Sequence, residues 1–296
     1  MNPPTPIVHT HTATELGMIV NVHLVETRQG VVVVDGAVAR SSSQRVRALI
    51  EDEIGKPLLA VLLTHGHPDH YMGVAEIIGQ NDTDFYALQG AIDQARDRDT
   101  EESAAMRAAF GDNFPQRRIF PTRVVSDGDV VAIDGVEFHI RDYGPCESHS
   151  DAVWFIDEHN APIVFCGDLI YNNMHLFMKD GHALEWLRGL DRLRREFSLE
   201  ARFYPAHGPS CGHEGIYWTE GYIRMYLGML RALLAGGGIS SSSRQQRLIA
   251  AIRSFLPRDD LLELAQFKLD ETIAVLSQVV NATDIQESEV TSWQRY

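Results

Sequence analysis

Hydrophobic and polar positions divide this chain into segments of two periods. MIVNVHLVE (18–26) and VVVV (31–34) are apolar and β-branched, and the TRQG between them ends in glycine, so the pair predicts a hairpin. SSSQRVRALIEDEIG follows with a serine cap and with Val46, Leu49, Ile50 and Ile54 at helical spacing. LLAVLLT (58–64) is unbroken, as a strand buried on both faces is, and YMGVAEIIG (71–79) resumes as a helix. DVVAIDGVEFHIRDYG predicts a hairpin around Asp134-Gly135, and AVWFIDEHNAPIVFCGD another around Asn160. HALEWLRGLDRLRREF (182–197) is an amphipathic helix and ARFYPAH (201–207) a strand. This order predicts two sheets packed together with helices outside them.

Two segments stand apart. Residues 90–118 are polar and helical in pattern, which suits an insertion or lid over a site and equally a solvated surface helix. Beyond residue 214 only helices are predicted, over 215–235, 244–256 and 259–280, with the flexible GGGISSSS (236–243) between the first two. The chain therefore reads as a body over 1–214 and a C-terminal helical extension over 215–296.

Composition narrows the classes. With 44% hydrophobic and 23% charged residues over 296 positions, the chain is that of a globular protein. Its net charge of -15 and its lack of a basic stripe argue against nucleic acid and against an anionic membrane, leaving a small-molecule substrate as the expected partner. MNPPTPIVHTHTATELG has neither the basic start nor the apolar core of a secretory signal, and no later run approaches a bilayer span, so a cytoplasmic location is expected. Cys146, Cys166 and Cys211 form no CxxC pair, which suits a reducing compartment and leaves imidazole and carboxylate to hold any metal.

Candidate chemistry starts at THGHPDH. His65 and His67 are two apart, so if strand geometry persists past Thr64 both imidazoles leave one face, and Asp69 and His70 follow on a turn at Pro68. The other HxH pair, His9 and His11, reads as N-terminal coil. Later strand ends add His149 in ESHSD, Asp168 in VFCGDLIY and His207 in FYPAHGP. Seven ligand-type residues at four successive loops point to zinc-type chemistry, which uses neutral imidazole and carboxylate donors.

The order HxHxDH, His, Asp after a strand, then His resembles the metallo-β-lactamase superfamily of metallohydrolases over about residues 15–212. That resemblance implies an αβ/βα four-layer sandwich with a two-metal site at one edge. By it, His65, His67 and His149 hold the first metal, Asp69, His70 and His207 the second, and Asp168 bridges them. Two zinc ions are implied, with iron or manganese as other occupants. A hydroxide shared by the ions would attack a carbonyl, with Asp69 orienting it and moving its proton. Tyr171 resembles the tyrosine that contacts substrate in the acyl-homoserine lactonases of this superfamily, and His175 and Phe177 in the same loop are candidates for the pocket wall.

Among branches, His67 stands where a flavodiiron-type oxidoreductase would carry Glu. Glyoxalase II also ends in helices but usually reads PGHTxGH before its third histidine, where this chain has GPCESHSD. Tyr171 tips the expectation toward lactone or ester hydrolysis. A glyoxalase II-like thioesterase, a β-lactamase and a mononuclear-iron persulfide dioxygenase are the alternatives. The C-terminal helices then become a substrate lid or a homodimer surface, with Trp218, Tyr222 and Met225 as candidate apolar contacts.

Overall fold

A computed structural model describes residues 6–158, 161–236 and 240–282. Strands β1 (Ile7–Ala13), β2 (Val20–Glu26), β3 (Val31–Val34), β4 (Leu58–Leu62), β5 (Asp84–Leu88) and β6 (Arg123–Val125) form one sheet in sequence order. The first three run antiparallel, and β3 to β6 are parallel, each pair joined by a helical crossover. These crossovers contain α1 (Arg40–Ala48), then α2 (Pro68–Tyr71) with α3 (Val74–Ile78), then α4 (Gln89–Phe110).

The second sheet has the order β11-β10-β9-β8-β7, from β7 (Val130–Ile133), β8 (Val136–Gly144), β9 (Asp151–Ile156), β10 (Ile163–Tyr171) and β11 (Arg202–His207). Only β10 and β11 are parallel, and α5 (Ala183–Glu196) crosses between them. The β7–β8 hairpin pairs Ile133 with Val136 around Asp134 (φ 47°) and Gly135 (φ 80°), the left-handed pair that a two-residue turn requires. The β9–β10 hairpin also forms, although the Asn160 at its predicted turn lies outside the described residues.

Alternation along β3 explains the layering. Val31 and Val33 pack toward α1–α4, while Val32 and Val34 pack toward the second sheet against a cluster containing Phe138, Ile140, Trp154 and Phe165. The Trp154 indole N–H donates to the Leu63 carbonyl at 2.9 Å and so ties one sheet to the other. Behind the second sheet, α5 packs in one buried cluster with α6 (Glu214–Ala235), α7 (Ser241–Phe255), α8 (Leu262–Gln266) and α9 (Leu269–Ala282). The result is the expected αβ/βα four-layer sandwich, with a C-terminal helical region against its second sheet.

Three expectations change. The serine expected to cap the helix after β3 does not do so, because α1 starts at Arg40 behind Ala39 and takes Ser41, Ser42 and Ser43 into its first turn. His9 and His11 lie in strand β1, not in coil, because that polar stretch pairs with β2 at the sheet edge and His9 bonds Glu26 at 2.8 Å. The helix expected over 259–280 is broken into α8 and α9, with Lys268 in the left-handed region at φ 51°. Of the GGGISSSS stretch, residues 237–239 lie outside the described residues. Among the described residues, no helix is long and apolar enough to cross a membrane.

Candidate metal centre

The ends of β3, β4, β10 and β11 converge on one edge of the sandwich. Pro68 disfavours helical backbone at the residue before it, and His67 is accordingly extended at φ -76° and ψ 153° before α2 begins. That keeps His67 out of the helix and leaves Asp69 and His70 to the first turn of α2. Gly66 permits α4 to approach, since a β-carbon there would stand 2.7 Å from the Ala91 carbonyl. Across the site Gly167, at φ 51°, lets β10 pass close beside Thr64.

Two groups of buried donors result: His65, His67, Glu147 and Asp168, and beside them Asp69, His70 and His207. Within the first group, Glu147 Oε2 lies 3.2 Å from His67 Nδ1 and 3.6 Å from His65 Nε2. In and around the second, Asp69 Oδ1 is 3.7 Å from His70 Nε2, and Asp69 Oδ2 is 3.6 Å from His207 Nε2. Asp168 reaches this second group too, with Oδ1 3.5 Å from His70 Nε2 and Oδ2 3.2 Å from His207 Nε2. Donors on one tetrahedral zinc stand about 3.3–3.6 Å apart, so these spacings fit the edges of metal polyhedra.

Six of the seven residues expected as ligands are therefore brought together, with Asp168 in the first group and within 3.5 Å of His70 and His207 of the second. His149 is the exception. Its side chain is 46% exposed and points to His182 and Arg98, while Glu147, with a fully buried side chain, stands in the cage. The cause is local: the Asp151 carboxylate accepts the backbone N–H groups of Cys146 and Ser148, both at 3.0 Å. This curls residues 146–151 so that Glu147 turns inward and His149 outward.

Electrostatics test whether a cation belongs here. Burial opposes charge on His70, yet Asp69, Asp168 and Asp35 push its pKa up to about 9. Burial likewise opposes charge on His207 and His67, and each is raised well above the usual range, His207 by Asp168 and Asp69, His67 by Glu147 and Asp180. Burial raises the Glu147 carboxyl to about 8, against the pull of His67. Asp69 and Asp168 stay ionised despite burial, because His70 and His207 face them. Protons thus gather on His67, His70 and His207 around buried carboxylates, where a divalent cation would displace them, while burial and the neighbouring His70 and His67 keep His65 neutral. His70 Nε2, His207 Nε2, Glu147 Oε2 and Asp168 Oδ1 are moreover buried without a hydrogen-bond partner, which a native structure rarely tolerates unless something else satisfies them. The donor set fits a metal.

The outer nitrogens of the ligands are held in turn. Asp35 Oδ2 bonds His70 Nδ1 at 3.0 Å and the Thr64 hydroxyl at 2.8 Å, and the Ile19 carbonyl accepts from His207 Nδ1. Asp180 bonds His67 Nε2 at 3.1 Å. Sequence reading missed Glu147, Asp35 and Asp180. The first was legible as a ligand-type residue in ESHSD and the second as a carboxylate ending the apolar VVVV run, while Asp180 in KDG carried no signal beyond a turn.

Tyr171 is fully buried, with its hydroxyl donating to Asp168 Oδ2 at 2.5 Å and lying 3.5 Å from Glu147. Its ring stacks on His207. His175 does not line a pocket: it is buried between the Tyr222 hydroxyl at 2.9 Å and the Arg258 carbonyl at 2.8 Å. Phe177 does face the site, edge-on to His67 at 5.8 Å. Cys146, whose thiol burial pushes far above its usual range, takes no part.

A four-layer sandwich with a buried nitrogen and oxygen cage at its edge defines a metallohydrolase-type architecture. The metallo-beta-lactamase superfamily model matches residues 16–221, and the chain belongs to that superfamily. No curated protein sequence matches it. Among solved structures it is similar to a metallo-beta-lactamase from Pontibacter korlensis, with 17% identity, a TM-score of 0.60, and 75% of this chain and 95% of that one covered. The metallo-beta-lactamase FIM-1 from Pseudomonas aeruginosa, in a mono-zinc form, gives 19% identity and a TM-score of 0.58 over 74% and 91% of the two chains. A metallo-beta-lactamase from Hirschia baltica gives 19% and 0.57 over 74% and 94%. At these identities the structural likeness speaks for the fold alone.

Proposed function

We propose that this chain is a hydrolase that holds two zinc ions and cleaves a carboxylic ester or lactone. The observation that carries the reading is the pair of donor groups with Asp168 between them. His65, His67 and Glu147 would hold one ion, Asp69, His70 and His207 the other, and Asp168 both. Bound there, the ions would supply Lewis acidity toward a carbonyl oxygen and make water acidic enough to ionise near neutral pH.

The protein's own part is orientation and proton handling. Asp69 turns one oxygen toward His70 and the other toward His207, and as an ionised carboxylate it accepts and aligns a proton of the attacking water. The Tyr171 hydroxyl fixes Asp168 and keeps its own proton, since burial and the adjacent Asp168 and Glu147 raise its pKa well above the usual range. At Glu147 a carboxylate in place of a neutral imidazole would offset part of the cationic charge and weaken carbonyl activation, which disfavours unstrained amides. Esters and lactones, with more electrophilic carbonyls than unstrained amides, suit such a site. A panel of lactones, esters, thioesters, β-lactams and phosphoesters tests this with zinc-loaded protein. Turnover of a thioester alone, unchanged by Tyr171→Phe, would overturn it.

The same glutamate supports a second reading. Two histidines and one carboxylate with open positions form the donor set that non-haem iron oxygenases use. A single-iron oxidoreductase would purify with one iron per chain, in place of two zinc, when chelators are omitted.

A further inference from the structure

Asp180 lies outside both donor groups, in the loop between β10 and α5, yet its side chain is 3% exposed and its Oδ2 is 3.1 Å from His67 Nε2. His67 turns its other nitrogen, Nδ1, toward Glu147 and His65. A carboxylate on Nε2 keeps the proton there, so that Nδ1 presents a lone pair inward, and it fixes the ring plane. The carboxylate is itself held, by Arg98 of α4 at 3.2 Å. Arg98 also meets His149, the histidine excluded from the cage. The loop is pinned on its other side by His175, through Tyr222 of α6 and the Arg258 carbonyl between α7 and α8.

We infer that Asp180 is the positioning residue for His67, and that through this loop α4 and the C-terminal helices set the strength of the first metal site. The inference rests on the metal-binding reading above but not on the substrate. It differs from a purely structural role because it predicts a defect confined to one of two sites.

The test is stepwise chelator competition on the full-length protein, with cobalt absorption spectra as a second readout and thermal unfolding as a check on folding. Asp180→Asn should weaken one of two bound ions by about 10–100-fold, leave the other within twofold, and alter the cobalt spectrum of the weakened site. Asp180→Glu should restore part of the loss. Arg98→Met removes the outer partner and leaves the carboxylate on His67, so its effect should be smaller. Equal losses in Asp180→Asn and Arg98→Met would show that the ion pair matters and the contact with His67 does not, which overturns the assignment. So would unchanged affinities and spectra in Asp180→Asn. A wild-type protein that binds no metal would sink the metal reading itself, an outcome distinct from either of these.

Discussion

The two donor groups are built from similar atoms and held in different ways. In the second group, the supports come from strand ends and the segment leading into β2: Asp35 after β3 holds His70, and the Ile19 carbonyl holds His207. The seam between sheets lies directly behind it, where Asn21 donates to the carbonyls of Pro205 and Gly208 at 3.0 and 2.7 Å. In the first group, two supports come from loops: Asp180 holds His67, and the curl at 146–151 delivers Glu147. The second group is therefore held from the sheet framework, and the first from loops that the helices α4 and α6 to α8 pin in turn. The expected order of affinity is second site tighter than first.

The largest effect should come from Asp168, which lies near both groups. Asp168→Ala is expected to abolish binding of the second equivalent of metal and to lower turnover by about 10²–10⁴-fold, measured by metal analysis and steady-state rates. Next, Asp35→Asn should weaken the framework-held site by about 10–100-fold, and Glu147→Ala the loop-held one, each sparing its neighbour. If either variant emptied both sites equally, the two groups would be one cooperative unit and the comparison would fail.

The framework itself has an acid limit. His23 bridges β2 and β11 through the Pro205 carbonyl at 3.1 Å, and burial lowers its pKa to about 4. The unfolded chain takes up this proton near pH 6.5 and the folded one only near 4, so the stabilisation is complete above 6.5 and fades as pH falls between the two. The loss should reach about 3 kcal/mol, visible as a steeper fall of unfolding free energy than in His23→Gln. The smallest effect is expected at His149. As a partly exposed residue outside the cage, its replacement by Ala should leave metal affinity within about twofold, whereas the resemblance at the level of sequence implies loss of a ligand.

That contrast shows what a sequence can disclose. The strand-to-turn motif at 65–70 was legible because its geometry is local: an apolar strand, then a proline that keeps His67 extended. Asp168 and His207 were legible because each closes an apolar strand. Glu147 and His149 are two residues apart and would share a face in an extended chain, and which one turns inward depends on hydrogen bonds to Asp151 that no periodicity reports. Asp180 was illegible for the same reason, since its value lies in a partner 113 positions away. The strand at His9–His11 was hidden by its polarity, as edge strands need only one apolar face, and the break at Lys268 by an apolar pattern that runs on across it.

The anchoring of His175 bears on where this protein can be shortened. A chain ended at residue 221, where the match to the superfamily model stops, would keep every donor of the cage. It would also delete Tyr222 and Arg258, leaving the His175 imidazole with neither nitrogen satisfied and α5 without the buried cluster it shares with the rest of α6 and with α7–α9. Trimming to the part that carries the chemistry would thus take away buried partners of that part, and a shortened chain that keeps both nitrogens of His175 bonded must reach Arg258.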